Sequence, residues 1–336
     1  MQFPYHALIG AAVNIPVPDP TPIISYSPVV LPAPDRPVDL QLRVAFPPAT
    51  ASTSNNPLPI LLLAHGAGPS NWLSSLDGST PLAEFYASHG FAVLQPTLPD
   101  SRFLNLTRPA ADAPDFAWWQ TRARDFGRIL DRLDEIEDAV PGLGKGNGGR
   151  LLDRSRIVLA GHSYGGTTAS MLLGATNTDP RTNETVSLRE DRIKAGVVLA
   201  STGAGGADLT ATGQAIIPFY GPDFGQMKAP ALVVYGDEDV TAALTERGAD
   251  WHADPYALAP GPKSLLSLKG GKHGLGGVSG FDAAETEDES VERLIAVQRL
   301  TWAYLWSQLH EGDTAWEEAS KAFEGLGQVG TLEHKE

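Results

Sequence analysis

The chain has 336 residues, of which 42% are hydrophobic and 19% are charged, as in an ordinary globular protein. Its formal net charge of -15 argues against a nucleic acid or an anionic membrane surface as partner, because both would repel it. Cysteine is absent, which excludes disulfides, cysteine-ligated zinc and a thiol nucleophile. No apolar run approaches the roughly 18 residues that a membrane-spanning helix needs, so we expect no membrane span.

The N-terminal region is rich in proline. Prolines recur from Pro16 to Pro37 at a spacing that forbids a helix and favours extended chain lying on a surface. We therefore expect residues 1–37 to form an arm outside the main domain. The first residues lack the basic stretch of a secretory signal peptide, which predicts a soluble, cytoplasmic protein and leaves secretion open.

Beyond residue 37, segments with strand character alternate with segments of helix character. The predicted strands cover residues 38–46, 60–64, 91–94, 156–161, 195–200, 231–235 and 264–268. The predicted helices cover residues 80–89, 119–140, 164–173 and 290–309. Most of the strands are continuous apolar runs, which indicates burial on both faces. This order predicts an α/β fold with a mostly parallel sheet.

Several connecting segments complete the predicted organisation. The loops 96–117 and 201–226 lie beyond the carboxyl ends of strands, where α/β folds build binding sites, so we expect them to form a cap. A glycine-rich loop over residues 142–149 leads into the strand 156–161. We expect the main domain to span residues 38–310 and residues 311–336 to form a C-terminal helix and tail.

The pattern Gly-x-Ser-x-Gly stands between the strand that ends at Gly161 and the helix that follows. Such a strand-to-helix turn is so sharp that only small residues fit two positions before and after its apex. The turn lifts the Ser163 hydroxyl clear of the backbone and points the positive end of the helix at whatever binds there. The context predicts a nucleophile, and a plain tight turn is the alternative.

A serine nucleophile needs a base, and the base needs an orienting carboxylate. His273 stands in a glycine-rich loop after the last predicted strand, which can bring its side chain over Ser163. His65 and His162 belong to backbone turns, and we interpret them as structural. His273 is therefore the predicted base, with an exposed loop histidine as the alternative.

The carboxylate is expected after the strand that precedes the histidine loop, where Asp237, Glu238 and Asp239 follow Gly236. Asp237 can bond backbone N–H groups two residues on and hold the turn, and Glu238 is expected to face solvent. Asp239, at the far side of the turn, can point toward the loop of His273. We predict Asp239 as the orienting acid, and Asp237 is the alternative.

A second glycine-rich turn, His65-Gly66-Ala67-Gly68, follows an early strand. We expect the backbone N–H of Ala67 to pair with that of Tyr164 and to bind a developing oxyanion. A phosphate-binding loop is the alternative, but this turn matches neither Gly-x-x-x-x-Gly-Lys-Ser/Thr nor Gly-x-Gly-x-x-Gly. The turn therefore favours acyl transfer over nucleotide binding.

Taken together, the two turns, Gly236-x-x-Asp239 and His273 resemble the motifs of α/β-hydrolase serine esterases. Within that superfamily, the motifs resemble those of the platelet-activating-factor acetylhydrolases, the chlorophyllases and the dienelactone-hydrolase-like proteins. The resemblance covers residues 38–310 and implies an α/β-hydrolase fold that cleaves a small-molecule carboxylic ester without a cofactor. A thioesterase or peptidase with the same triad is the alternative enzyme. A binding protein on an inert hydrolase fold is the alternative from another class.

Two further groups of residues carry no assignment from motifs. Several large side chains fall in the loops near the predicted site, where they either line a substrate pocket or pack a cap onto the domain; they are Trp72, Phe103, Trp118, Trp119, Phe219, Tyr220 and Leu275. The run 282–289 is acidic but lacks the spacing of an EF-hand. We interpret it as a solvated lead-in to the helix 290–309, favoured by the helix dipole, and we predict no metal site.

Overall fold

The computed structural model describes residues 10–48, 57–143 and 151–336. Residues 1–9, 49–56 and 144–150 lie outside the described residues. The start of the predicted arm and most of the predicted glycine-rich loop therefore lie outside the described residues.

The strands and helices alternate along most of the chain. The strands, numbered β1 to β12 in chain order, are Ile24–Leu31, Leu40–Phe46, Leu58–Ala64, Ala92–Pro96, Leu152–His162, Thr176–Asp179, Glu184–Ser187, Ile193–Leu199, Pro222–Asp223, Ala231–Gly236, Lys263–Leu268 and Gly330–Lys335. The α-helices, numbered α1 to α8, are Thr80–Ser88, Trp119–Asp131, Leu133–Ala139, Tyr164–Leu172, Ala211–Ile216, Asp254–Ala257, Val291–Leu309 and Ala315–Glu324. Short 3₁₀ segments are Ala11–Asn14, Arg102–Leu104, Phe116–Trp118, Gly206–Asp208, Phe224–Gln226 and Ala249–Ala253. Of the helices that the structure describes, none is both long enough and apolar enough to cross a membrane.

One sheet organises the described part of the chain. Within that part, nine strands pair in the order β1-β2-β4-β3-β5-β8-β10-β11-β12. The strands from β4 to β11 in this order run parallel to their neighbours. The pairs β1–β2, β2–β4 and β11–β12 at the two edges are antiparallel. The predicted α/β fold with a mostly parallel sheet is confirmed.

Helices cover both faces of this sheet, which explains the unbroken apolar runs of its strands. Along β3, Leu62 packs in the cluster that contains Phe126 of α2. Its neighbour Leu63 points to the opposite face and packs in the cluster that contains Tyr86 of α1 and Leu300 of α7. Successive strand residues point to opposite faces, so a strand covered on both sides needs an apolar residue at every position.

The two edges of the sheet come from segments that the sequence analysis placed outside the main domain. β1 lies within the predicted arm and pairs with β2, and Pro28 stands where its register shifts, a position that tolerates the loss of a backbone donor. β12 lies within the predicted tail and pairs with β11. The predicted boundaries at residues 38 and 310 therefore exclude both edge strands of the sheet.

The helix predicted over residues 119–140 consists of two helices, α2 and α3. The N–H of Arg132 bonds to the carbonyl of Ile129 at 3.1 Å, a 3₁₀ pattern, and the backbone leaves the helical region there. The side chain of Arg132 also donates to the carbonyl of Pro32 at 2.5 Å. The apolar spacing continues through this break, so the hydrophobic pattern alone could not reveal it.

A small second sheet was not predicted from the sequence. β6 pairs with both β7 and β9, and β9 lies within the predicted loop 201–226. These strands have two to four residues, too few for a periodic signal. That the loops 96–117 and 201–226 form a cap over the site stays a prediction.

Candidate active site

The parallel strands bring the predicted site residues to one edge of the sheet. β3, β5, β10 and β11 run in the same direction, with β8 between β5 and β10. The residues that follow their carboxyl ends therefore lie on the same side, where α/β folds bind their ligands. These residues include Gly66 after β3, Ser163 after β5, Asp239 after β10 and His273 after β11.

Ser163 occupies a strained turn between β5 and α4. Its backbone angles are φ 58° and ψ -123°, a conformation that residues other than glycine rarely adopt. A Cβ added to Gly165 would lie 2.1 Å from the carbonyl oxygen of Ala64, and one added to Gly161 would lie 2.1 Å from that of Gly165. The N–H of Ser163 donates to the carbonyl of Leu199 at 2.8 Å. The glycine spacing in the sequence therefore reflects close backbone contacts on both sides of the serine.

Two hydrogen bonds join Ser163, His273 and Asp239. Nδ1 of His273 lies 2.9 Å from Oδ2 of Asp239, and Nδ1 carries the proton because an ionised carboxylate can only accept. Nε2 of His273 is then free to accept from the Ser163 hydroxyl, whose Oγ lies 2.9 Å away. The structure thus brings together the three residues that the sequence analysis singled out, and the carboxylate in contact with His273 is Asp239.

The charges of this group support a proton transfer from serine to histidine. Burial raises the pKa of Asp239, but the contacts of its carboxylate with the His252 and His273 rings outweigh burial and hold that pKa well below its ordinary value. Burial lowers the pKa of His273, but the bond and charge of Asp239 more than compensate, so that pKa lies above its ordinary value. A protonated His273 would therefore be stabilised where it forms.

His252 also contacts Asp239, although no sequence motif singles it out. Nδ1 of His252 donates to the carbonyl of Ser201 at 2.6 Å, and Nε2 lies 3.1 Å from Oγ1 of Thr241 and 3.4 Å from Oδ2 of Asp239. Because Nδ1 is committed to a carbonyl, Nε2 of the neutral ring accepts from Thr241, and it pairs with Asp239 only when the ring is protonated. His252 lies in a short 3₁₀ segment with no motif around it, so the sequence carries no signal for this contact.

The predicted oxyanion donors lie on two segments that meet at Ser163. A Cβ added to Gly66 would lie 3.1 Å from the Cβ of Ser163, so the turn after β3 lies directly against the serine. Among the described residues, no acceptor pairs with the N–H of Ala67, the next residue in this turn. Tyr164 is the first residue of α4, so its N–H has no acceptor within the helix.

Two neutral histidines, His65 and His162, hydrogen-bond the turn after β3 and the end of β5 to neighbouring backbone groups. His65 accepts from the N–H of Leu98 at Nε2 (2.9 Å) and donates from Nδ1 to the carbonyl of Gly66 (2.7 Å). His162 donates from Nε2 to the backbone carbonyl of His273 at 2.7 Å. Burial lowers the pKa of each ring to about 4, helped by the charge of Arg122 at the first and by the nearby histidine at the second. Both rings are therefore uncharged near pH 7 and act as hydrogen-bonding links.

A buried arginine, Arg122, connects the turn after β3 to the start of α4. Its Nη2 donates to the carbonyl of His65 at 2.6 Å, its Nη1 pairs with Asp100, and its Nε donates to Oγ1 of Thr168 at 3.1 Å. The guanidinium also lies over the ring of Tyr164, 4.3 Å from the ring centre. One fully buried side chain thus contacts both segments that carry the predicted oxyanion donors.

The contacts of Asp237 differ from those predicted. Its Oδ1 accepts from the N–H of Gly270 at 2.7 Å, so it holds the turn after β11 and not its own turn. The turn after β10 is closed by the N–H of Asp239, which donates to the carbonyl of Gly236 at 3.0 Å. The prediction was wrong because β10 and β11 are neighbours, which places the next turn within reach of this side chain.

The candidate substrate-binding side chains divide into an exposed and a buried group. Trp72 is 45% exposed and Phe103 is 64% exposed, whereas Trp118 is buried. The indole N–H of Trp72 donates to the carbonyl of Ser279 at 2.9 Å. A role for these three in binding substrate stays a prediction.

The other candidates lie in the core. Trp119 stacks on Phe219 with ring centres 5.4 Å apart, the hydroxyl of Tyr220 lies 2.6 Å from that of Thr202, and Leu275 is fully buried. The structure therefore places these residues under the loops and not on an accessible surface. A role for these residues in binding substrate stays a prediction, with packing as its alternative.

One group of side chains has the chemistry of a metal site. In the part of the chain that the structure describes, ligand-type atoms of Asp239, His252 and His273 lie within 4.8 Å of one another. The hydrogen bond between Asp239 and His273 already uses two of these atoms. A metal ion bound there would replace that bond.

Comparison with known proteins identifies the family. A model of the alpha/beta hydrolase family matches residues 61–324, so the chain belongs to the alpha/beta hydrolase family. A search of curated proteins finds no match. The family assignment confirms the resemblance that the two glycine turns and the Ser–Asp–His order suggest.

Solved structures share this fold at low sequence identity. A ferulic acid esterase from Streptomyces cinnamoneus is 17% identical with a TM-score of 0.51, covering 90% of this chain and 97% of its own. The carboxylesterase EstE1 from a metagenomic library is 19% identical with a TM-score of 0.51, covering 90% and 93%. An acylaminoacyl peptidase from Pyrococcus horikoshii is 12% identical with a TM-score of 0.52, covering 88% of this chain and 43% of its own. These similarities show the fold.

The stacked pair Trp119–Phe219 generates a first prediction. Phe219→Ala should lower the free energy of unfolding by about 3–5 kcal/mol, because it removes a fully buried ring and leaves a cavity. Phe103→Ala, at an exposed position, should change it by no more than about 0.5 kcal/mol. Chemical denaturation of both variants and the wild type measures the difference. Equal losses in the two variants would show that the Trp119–Phe219 stack contributes little to stability.

A second prediction concerns His252. His252→Asn keeps a donor near the position of Nδ1, for the carbonyl of Ser201, and removes Nε2. The hydroxyl of Thr241 then loses the acceptor that lies 3.1 Å away, so we expect stability to fall by about 0.5–1.5 kcal/mol, the net value of one hydrogen bond. His334→Asn is the control, since His334 bonds Ser264 at 2.9 Å. Chemical denaturation of both variants and the wild type tests this prediction, and an unchanged free energy of unfolding in His252→Asn would contradict it.

Proposed function

We propose that this protein is a serine hydrolase that cleaves carboxylic esters through an acyl-enzyme. The observation that carries the proposal is the pair of 2.9 Å hydrogen bonds that link Ser163 to His273 and His273 to Asp239. The order Ser, Asp, His along the chain is that of α/β-hydrolase enzymes. In this proposal Ser163 is the nucleophile, His273 the general base and Asp239 the acid that orients it.

The first half of the reaction acylates the serine. Oγ of Ser163 attacks the ester carbonyl carbon while its proton moves to Nε2 of His273. The carbonyl oxygen becomes an oxyanion, which the N–H groups of Ala67 and Tyr164 receive. When the intermediate collapses, the bond to the alcohol oxygen breaks and Nε2 of His273 donates its proton to that oxygen. The acyl group is then bonded to Oγ.

The second half releases the acid. Water attacks the acyl carbon and gives a proton to Nε2 of His273, and the same N–H groups bind the new oxyanion. The bond from carbon to Oγ of Ser163 then breaks, and Oγ recovers the proton from Nε2. The balance is one ester and one water converted to one acid and one alcohol. Asp239 stays ionised throughout and stabilises the protonated ring.

The choice of an ester rests on the resemblance of the two glycine turns to those of esterases. The proposed triad itself does not select the leaving group, so thioesters and amides are tested beside esters. A panel of p-nitrophenyl esters from acetyl to palmitoyl, an acyl thioester and a peptide p-nitroanilide separates these classes. The fastest class by kcat/KM identifies the reaction. Hydrolysis of the peptide p-nitroanilide alone would contradict the proposal of an esterase and indicate a peptidase.

The third prediction tests the nucleophile. A fluorophosphonate probe should label the wild type at one site, because the activated hydroxyl of Ser163 attacks phosphorus. Ser163→Ala should abolish labelling and lower kcat by about 10⁶-fold, the loss found when the nucleophile of such a triad is removed. Intact-mass spectrometry measures labelling, and circular dichroism verifies that the variant folds. Labelling of the folded variant would place the nucleophile elsewhere, and an unlabelled wild type would favour a non-catalytic binding protein.

The fourth prediction separates the neighbouring carboxylates. Asp239→Asn keeps the shape of the side chain but offers a donor to Nδ1, which favours the wrong tautomer of His273, so kcat should fall by about 10⁴-fold. Asp237→Asn is the matched variant, because Asp237 bonds Gly270 and not His273. It should keep kcat and lower stability by about 1 kcal/mol or less. The reverse result in steady-state kinetics would assign the orienting role to Asp237.

A further inference from the structure

The acidic segment 282–290 has two kinds of carboxylate. Glu287 and Glu289 are exposed, and within the described residues neither has a hydrogen-bond or ion-pair partner. Asp288 between them is only 7% exposed, and Glu285 is half-buried. The interpretation of this segment as a solvated lead-in to α7 therefore does not apply to Glu285 and Asp288.

Asp288 holds the loop that carries His273. Its Oδ2 accepts from the N–H of Lys272 at 2.8 Å and from the N–H of Gly276 at 3.1 Å. These two backbone groups stand on either side of His273, so one carboxylate fixes both ends of the short segment that presents the imidazole. Hydrogen bonds to a carboxylate are roughly twice as strong as neutral ones, which suits a buried acceptor to this task.

The start of α7 anchors Asp288. Nη2 of Arg293 donates to the backbone carbonyl of Asp288 at 3.0 Å. The N–H of Ser290 donates to the carbonyl of Gly276 at 3.0 Å, and the hydroxyl of Ser290 accepts from the N–H of Arg293 at 3.3 Å. The carboxylate is thus attached to the first turn of a long helix packed on the sheet.

Glu285 holds the opposite side of the site, the chain that continues from the turn after β3. Its Oε1 accepts from the N–H of Ser70 at 2.7 Å, and its Oε2 accepts from the hydroxyl of Ser70 at 2.7 Å. Ser70 lies three residues after Ala67, the predicted oxyanion donor. The indole of Trp72 donates to the carbonyl of Ser279, which adds a bond from this chain to the residues just before the acidic segment.

We propose that Glu285 and Asp288 are positioning residues that hold the loop of His273 and the turn of Ala67 in register over Ser163. The proposal rests on the hydrolase function proposed above and assigns a role to the acidic segment. Neither carboxylate touches the reacting atoms. Each acts through the backbone that it fixes, so its loss should lower kcat more than it changes KM.

The charges around His273 provide a readout that loss of structure alone would not produce. The acidic groups that face His273 are Asp239, which bonds it, and Asp288 and Glu287, whose charges also raise its pKa. The basic rings of His162 and His252 lie beside it, with ring centres 5.2 and 5.7 Å away. Neutralising Asp288 or Glu287 should lower the pKa of His273 and move the acidic limb of the kcat/KM profile to lower pH.

The fifth prediction compares Asp288→Ala, Asp288→Asn and Glu285→Ala with the controls Glu287→Gln and Glu289→Gln. Displacing a catalytic group by about 1 Å costs up to about 100-fold, so Asp288→Ala and Glu285→Ala should lower kcat by about 10- to 100-fold with little change in KM. Asp288→Asn keeps an oxygen for the two backbone donors, so its kcat should lie nearer that of the wild type. Its acidic limb should move to lower pH.

The controls separate charge from hydrogen bonding. Glu287→Gln should move the acidic limb in the same direction while keeping the kcat of the plateau, and Glu289→Gln should leave the kcat of the plateau unchanged. Glu285→Ala should lower kcat without moving the limb. Steady-state profiles on p-nitrophenyl acetate, with thermal melts of every variant, give these values. Wild-type kcat in both Asp288→Ala and Glu285→Ala would overturn the proposal. A wild type that neither hydrolyses esters nor reacts with fluorophosphonate would overturn the proposed function itself.

Discussion

The site depends on one geometric constraint: two hydrogen bonds of 2.9 Å must join side chains that follow three different strands. The sheet brings the ends of β5, β10 and β11 to a common edge, but it fixes the loops beyond those ends only loosely. A hydrogen bond weakens steeply when its atoms move apart or its angle closes. Each loop therefore needs further hydrogen bonds to hold it in place, and buried polar side chains between the loops provide them.

The side chains that make these hydrogen bonds include a neutral histidine and a charged arginine, and the surroundings of each one match its charge. His162 is neutral because burial lowers its pKa, and it links the serine turn to the backbone of His273 without placing a second cation beside that ring. Arg122 is charged and fully buried, and it is matched by Asp100 and two oxygen acceptors. A buried charge without such partners would cost several kcal/mol. Arg122 is thus tolerated in the core because each of its three side-chain nitrogens has an oxygen partner.

The sequence could predict the residues whose role follows from local geometry. Ser163 stands in a glycine spacing that only a sharp strand-to-helix turn requires, and Asp239 and His273 follow strands that apolar runs reveal. Arg122 had a weaker signal, since it precedes Phe126 by four residues and so shares the buried face of α2. The roles of His252 and Asp288 had none. Each acts on a segment that is distant in sequence or irregular, and no periodicity marks such a contact.

The strained conformation of Ser163 explains why hydrogen bonds hold the segments around the serine as well as the loop of the histidine. A positive φ costs about 1–3 kcal/mol and persists only where neighbouring structure enforces it. Its N–H donates to the carbonyl of Leu199, and its own carbonyl accepts from the N–H of Thr167 at 3.1 Å. The backbone is therefore fixed on both sides of the serine by β8 and by the first turn of α4. Because the backbone of Ser163 is fixed, the loops that carry His273 and Ala67 must be positioned to fit it. Side-chain hydrogen bonds to those loops provide that positioning.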